Sequence, residues 1–389
     1  MDNERNHQHK ASSPSLIDVT IATKRQQLIG TLTSPSFPTL PFDLIPEILC
    51  RLRAKLLVQF QCVCKSWNSL ISDTKFTKKQ LRVSTVSLVH TLTYSVDKYV
   101  LKSYPLDSIF ANVTANPIAQ LEFLLNPVVF FIGSCNGILC FLAKDSNGFL
   151  SFRLLNPSIR KFKELPPLQK PQTHYLQLYG FIHDPITDNY MVVVVLHVRG
   201  RSSSFVDNHE VKVHCLGTNY WKSIQTFPFD CVALQSFGKF VSGTINWLVA
   251  KKYDNKIQHC IVSLDLKNES YKEVFMPPDY APVNGYIHLH MSVLRDCLCM
   301  VINHDVWVMK EHGNKDSWTK LFTIPYMQDF PTSHATIKVV NTVEDDKVLL
   351  RSANGSKRNL IYYNSRYGTY KFTEFEFTLE VCLESLISP

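Results

Sequence analysis

Residues 243–250, GTINWLVA, and residues 264–278, LDLKNESYKEVFMPP, decide the fold, because each belongs to a series that repeats along the chain. The first is a turn signal followed by an apolar run. It recurs as NGILCFL at 136–142, DNYMVVVVL at 188–196, RDCLCMVI at 295–302 and DDKVLLRS at 345–352. The markers Leu139, Tyr190, Trp247, Cys299 and Leu350 follow one another at a period near fifty residues. The second series reads strand, polar turn, aromatic, strand, proline. Its other members are LLNPSIRKFKELPP at 154–167, VHCLGTNYWKSIQTFPF at 213–229 and WVMKEHGNKDSWTKLFTIPY at 307–326, with YYNSRYGTYKFTEFEF at 362–377 lacking the proline. Its aromatics, Phe162, Trp221, Tyr271, Trp318 and Tyr370, keep the same period and phase.

A unit of that length, built from several short β-rich runs bounded by Gly, Asn, Asp and Pro, is the sequence form of a four-stranded propeller blade. Five units lie between about 130 and 380, and VSLVHTLTYSVDKYVLKSYPL at 86–106 looks like part of a sixth. The spacing therefore predicts an all-β propeller of about six blades over 83–389. Its closing pair would be the last strand, near FEFTLEVCLESLI at 375–387, with the first. Closure removes exposed strand edges that invite aggregation. One aromatic per unit at a constant place predicts packing between blades rather than a ligand cage.

Upstream the periodicity changes. In LPFDLIPEILCRL, residues 40–52, Leu44, Ile45, Ile48, Leu49 and Leu52 form a helical stripe, with Asp43 placed to cap it and Pro46 tolerated in the first turn. RAKLLVQF continues the helical composition, and Phe60, Val63, Cys64, Trp67, Leu70 and Ile71 predict another amphipathic helix. Residues 37–82 thus form a small all-α module, near the size at which a core no longer stabilises itself. It carries more large apolar side chains than it can cover. The surplus is expected to meet a partner, the alternative being that it docks on the propeller. Residues 1–36, polar and without a sustained apolar period, read as a disordered tail.

Composition narrows the function classes. No apolar core of seven residues occurs in the first thirty, so no secretory signal is expected and the protein is read as intracellular and soluble. The longest apolar run, YMVVVVLHV at 190–198, falls far short of a membrane span and favours a buried strand. The eleven cysteines are an odd number, and they are expected to be reduced core residues. Cys62/Cys64 and Cys297/Cys299 lack the companions of a zinc site, so neither metal nor cofactor is expected. Of the net charge of +8, most is local to 40–82, where Lys75, Lys78, Lys79 and Arg82 read as a solvated helical edge rather than a nucleic-acid surface.

LPFDLIPEILCRLRAKLLVQFQCVCKSWNSLIS resembles the F-box of plant F-box proteins. Downstream, GSCNGILCFL, LLNPSIRKFKELP, GFIHDPITDNYMVVVV, FVSGTINWLVA and IVSLDLKNESYKEV resemble the F-box-associated interaction domain of the F-box/kelch-repeat type, although no Gly-Gly dipeptide of ordinary kelch repeats is present. The resemblance implies a non-catalytic substrate receptor of a Skp–cullin–F-box ubiquitin ligase, nuclear and/or cytoplasmic. The F-box would dock on a Skp-type adaptor, and through it a cullin ligase. The propeller would bind an unknown target protein, with no nucleic acid or membrane partner. The adaptor contacts it implies are Leu40, Pro41, Leu44, Ile48, Leu49, Leu52, Leu57, Phe60, Val63, Cys64, Trp67 and Leu70, some of them serving internal packing.

Where the family has Pro-Val-Lys-Ser-Leu, this chain has Arg53, Ala54, Lys55, Leu56 and Leu57, a loss of a turn former and a cap that is expected to lower adaptor affinity. Target recognition is expected in the loops at 196–210 and 277–290. Two rival readings stay open: a non-proteolytic scaffold or small-molecule receptor, and a protein resembling a kelch-fold metal oxidase. The latter would draw ligands from His174, His183, His197, His288 or His290, with His288 and His290 on one strand face.

Overall fold

A computed structural model describes residues 41, 43–84, 87–95, 98–110, 116–124, 128–144, 150–168, 174–198, 209–228, 231–253, 256–278, 280, 288–325, 336–344, 346–354, 357–375 and 380–389. The chain divides into two compact units, 1–48 and 49–389. In the first, helix α1 (Leu44–Leu49, whose last residue belongs to the second unit) starts from a bond between the Leu44 N–H and the Pro41 carbonyl.

The second unit opens with three helices: α2 (Ala54–Phe60), α3 (Lys65–Ser72) and α4 (Thr74–Val83). One sequence expectation is corrected here. The apolar series from Phe60 to Ile71 is not one helix, because Cys62 and Val63 donate to Gln59 and Phe60 in a turn and Cys64 is fully extended, with φ −158° and ψ 164°. A stripe at helical spacing can straddle two helices when the turn between them preserves the phase. Asp73 separates α3 from α4 and caps the latter, its carboxylate accepting from Lys75 N at 2.8 Å and Phe76 N at 3.1 Å.

Six antiparallel sheets follow, the blades of a propeller. Blade 1 comprises β1 (Ser87–Ser95), β2 (Lys98–Pro105) and β3 (Ala119–Leu124), with a single-turn helix α5 (Leu106–Phe110) between the last two. Blade 2 is β4 (Val128–Cys135), β5 (Ile138–Lys144), β6 (Leu150–Asn156) and β7 (Lys161–Glu164). Blade 3 is β8 (His174–Asp184), β9 (Asn189–Val198), β10 (His209–Cys215) and β11 (Lys222–Ile224). Blade 4 has five strands: β12 (Cys231–Ala233), β13 (Lys239–Val241), β14 (Thr244–Tyr253), β15 (Lys256–Asp265) and β16 (Ser270–Val274). Blade 5 is β17 (Leu289–Leu294), β18 (Cys297–Ile302), β19 (Asp305–Met309) and β20 (Trp318–Thr323). Blade 6 is β21 (Thr336–Glu344), β22 (Lys347–Asn354), β23 (Lys357–Asn364) and β24 (Thr369–Phe375), and β25 (Glu380–Leu383) returns to blade 1.

The ring closes as the sequence predicts. β25 pairs antiparallel with β1, from Ser87 opposite Leu383 to His90 opposite Glu380, so the last strand is the innermost of the first blade. In blade 4 the inner strand is broken in two, β12 and β13 both pairing with β14. Across the break the Gln235 side chain donates to the Met291 carbonyl and accepts from its N–H, a link to the next blade.

The two repeat series map onto distinct structural tasks. Leu139, Trp247, Cys299 and Leu350 lie in the second strand of their sheets and are fully buried. Gly238 makes room for one of them, because a Cβ there would stand 2.7 Å from the Trp247 Nε1. Three of the phased aromatics reach back to the preceding blade: Trp221 Nε1 donates to the Pro166 carbonyl at 3.0 Å, Tyr271 Oη to Gln225 at 2.9 Å and Trp318 Nε1 to Phe275 at 2.9 Å. Tyr370 packs on the core between blades 5 and 6. Phe162 departs from the pattern: it has no donor, is exposed, and lies under the Arg153 guanidinium.

All eleven cysteines are free thiols. Cys50, Cys140, Cys231, Cys260 and Cys299 are buried as expected, but Cys62 and Cys64 are exposed on the turn between α2 and α3. Among the described residues no helix is long and apolar enough to cross a membrane.

Candidate functional site

The short helices that precede the propeller sort their apolar side chains into an inside and an outside. Leu49, Cys50, Ala54, Leu57, Ile71 and Phe76 are buried. Leu44 and Ile48, one turn apart on α1, are 46% and 48% exposed. On the second unit Leu56 is 40% and Val63 61% exposed, beside the exposed Cys64. Leu52, Phe60, Trp67 and Leu70 are half-buried, and the rings of Phe60 and Trp67 meet at 5.5 Å between centroids, holding α2 against α3. Of the twelve residues marked from sequence, Leu49 and Leu57 are buried, Pro41 is exposed, and Leu40 lies outside the described residues. What the outside presents is apolar area with the Cys64 thiol beside it. The Cys64 thiol has its pKa lowered by the Ser66 hydroxyl and then by the Trp67 backbone.

The departure at Arg53 has a structural counterpart that sequence reasoning missed. Arg53 is the residue before α2 and offers no side-chain cap. The cap comes instead from Glu384, 1% exposed, just after β25: its carboxylate accepts from the Lys55 N–H at 3.3 Å and from Arg53 Nε at 3.1 Å. An anion at a helix N-terminus satisfies an orphan N–H and opposes the helix dipole. The expected loss of a cap is thus corrected: a residue more than three hundred positions away replaces it, and no local motif could have announced that.

The segment around Glu384 is a junction. Ser84 Oγ donates to the Glu384 carbonyl at 3.2 Å, tying the end of α4 to it. Ser385 Oγ donates to the Asn136 carbonyl at 2.6 Å, and Asn156 Nδ2 donates to the Ser385 and Ile387 carbonyls at 3.0 and 2.8 Å. Gly137, at φ +80° in the β4–β5 turn, leaves the room this segment occupies, since a Cβ there would lie 2.4 Å from Ser385 Oγ. Further along α4, Lys78 pairs with Asp188, which also accepts from His183 Nε2 at 3.1 Å. Part of the basic edge expected to be merely solvated therefore binds the β8–β9 turn.

Among the described residues, the histidines of the metal-oxidase reading are not gathered. His183 sits with Asp188, and His197 packs at a tilt against His209 with ring centroids 4.9 Å apart. His290 lies in β17, whereas His288 precedes that strand, so the two do not share a strand face. The side chain of His174 lies outside the described residues. Among the described residues no group of three or more His, Cys, Asp or Glu side chains could hold a metal. In the two loops expected to carry recognition, residues 199–208, 279 and 281–287 are likewise outside the described residues.

Comparison with known proteins agrees with this arrangement. Residues 37–79 match the F-box domain, and residues 97–382 match the F-box associated beta propeller domain. An F-box/kelch-repeat protein of Arabidopsis thaliana is 32% identical over 308 residues, which cover 75% of this chain and 81% of that protein. The F-box protein CPR1 of the same organism is 28% identical over 342 residues, covering 81% of this chain and 80% of its own. The chain belongs to the F-box proteins that carry an F-box-associated β-propeller.

Proposed function

We propose that this protein is the substrate receptor of a Skp–cullin–F-box ubiquitin ligase. In this reading Pro41, Leu44, Ile48, Leu52, Phe60, Val63, Cys64, Trp67 and Leu70 meet a Skp-type adaptor, while Leu49 and Leu57 shape the face from within. The observation that carries the reading is the exposure of Leu44, Ile48 and Leu56 on helices, and of Val63 on the turn between α2 and α3, within the residues that match the F-box. Apolar side chains left outside on a module this small are the usual mark of a partner's site.

The propeller holds a target protein in this scheme, and the chain itself performs no bond chemistry. It raises the effective concentration of a target lysine near ubiquitin carried by other subunits, in the nucleus or cytoplasm. A receptor of this kind works best when the adaptor-bound helices and the target-bound domain move together. The Arg53–Glu384 pair, the Glu384 cap and the Lys78–Asp188 pair tie α2 and α4 to the propeller in that manner.

The test is capture of a purified Skp-type adaptor by the full chain beside Val63→Asp. Capture by the wild type, lost in a variant that keeps its thermal midpoint, supports the reading. An adaptor that binds neither protein, or both equally, removes it.

A further inference from the structure

Two lysines, an arginine and a buried histidine, contributed by three blades, line one space inside the ring. A cavity of about 610 Å³ is bounded by Lys239 of β13, His290 and Ser292 of β17, Lys338 of β21 and Arg351 of β22, with no Asp or Glu among its described lining residues. Lys338 and Arg351 are direct partners across β21 and β22, so they leave the same face of blade 6. His290 and Ser292, two residues apart on β17, likewise share a face.

His290 is 9% exposed, and its Nδ1 has no hydrogen-bond partner. Burial, and then the positive charges of Lys338, Lys239 and Arg351, hold its imidazole well below the usual pKa, so the ring is neutral and one of its nitrogens keeps a proton to donate. A buried polar atom without a partner is costly. Positive groups converging on a space with low-dielectric walls create a potential that gathers anions. The volume falls within the range of about 300 to 1,000 Å³ found for small-molecule sites.

We propose that this channel cavity binds a small, multiply charged phosphate compound. Arg351 offers a planar fork that matches phosphate oxygens, the two lysines add point charges from other directions, and His290 donates from Nδ1. The ligand would bridge blades 4, 5 and 6, and its binding is independent of adaptor docking.

The test uses the full chain with sodium pyrophosphate as the probe, followed by titration calorimetry and thermal unfolding, with sodium sulfate and sodium chloride at matched ionic strength alongside. Saturable one-site binding is expected, with affinity reduced at least about tenfold in Lys239→Gln and unchanged in Lys267→Gln on an exposed turn. Arg351→Gln serves as a second variant, and a cooperative thermal transition shows that each variant is folded. Absence of saturable binding, an equal response to sulfate, or equal losses in Lys239→Gln and Lys267→Gln would overturn the proposal.

Discussion

The indole of Trp318 shows how one residue links two blades. Its ring is buried in the core of blades 4 and 5, while its N–H reaches the Phe275 carbonyl in the segment after β16. Replacing it by Phe keeps an aromatic ring but orphans that carbonyl, at an expected cost of about 1–3 kcal/mol. The measurement is the urea midpoint, compared with Phe162→Leu at the exposed equivalent, which should stay within about 0.5 kcal/mol of the wild type. Equal losses in both would mean that the phased aromatics act by bulk alone. Glu384 is a second single-residue junction, serving Arg53 and the start of α2 together. Because Arg53 keeps partial contact with water, Glu384→Gln should cost about 1–3 kcal/mol and not the larger figure of a fully buried pair. A double-mutant cycle with Arg53→Ala should show coupling, and strict additivity would refute the link.

At the scale of the element, the β1–β25 pair decides whether the ring is closed, and His90 sits inside it. Its imidazole nitrogens contact Ser103 Oγ at 2.9 Å and Cys382 Sγ at 3.0 Å, and burial pulls its pKa down from 6.5 to about 4. Between those values the unfolded chain binds a proton that the folded chain refuses, so stability falls as the pH drops below about 6.5 and the loss is complete below about 4. The full effect is on the order of 3 kcal/mol, and buried His290 acts in the same direction. Denaturant midpoints at pH 7.5 and 5 should therefore differ more in the wild type than in His90→Gln. If the two proteins lose stability in parallel, His90 is not the source. Hydrogen exchange should place the first acid-induced opening at β1 and β25.

For the whole molecule, the central prediction concerns the exposed apolar turn between α2 and α3. Val63→Asp puts a charge on a side chain that is 61% exposed, so it should leave the thermal midpoint within about 1–2 °C of the wild type. In the proposed receptor it should weaken adaptor capture at least about tenfold, since a charge at the core of an apolar interface is left desolvated. Leu57→Ala, inside the module, should instead lower stability by about 2–5 kcal/mol. Loss of capture in both variants without loss of stability in Leu57→Ala would contradict the division into inside and outside described above.

The sequence by itself determined the blade and an approximate count of about six, because a repeated unit with turn signals and apolar runs in constant phase can bury its faces only against copies of itself; the pairing of the strands fixed the number at six. Closure followed from the same argument, as an open ring would leave two strand edges bare. Local spacing also exposed the helical module and its surplus of apolar side chains. It did not show where the phase is carried across a turn, so the Phe60 to Ile71 stripe read as one helix. It could not sort Leu49 and Leu57 from Leu44 and Val63, because inside and outside differ by which neighbours arrive, not by residue type. The tertiary structure alone decided that Glu384 caps α2, that Lys78 meets Asp188, and that Lys239, His290, Lys338 and Arg351 share a cavity. Each of these joins positions far apart in the chain, and their proximity is a property of the closed ring, which no local window of sequence contains.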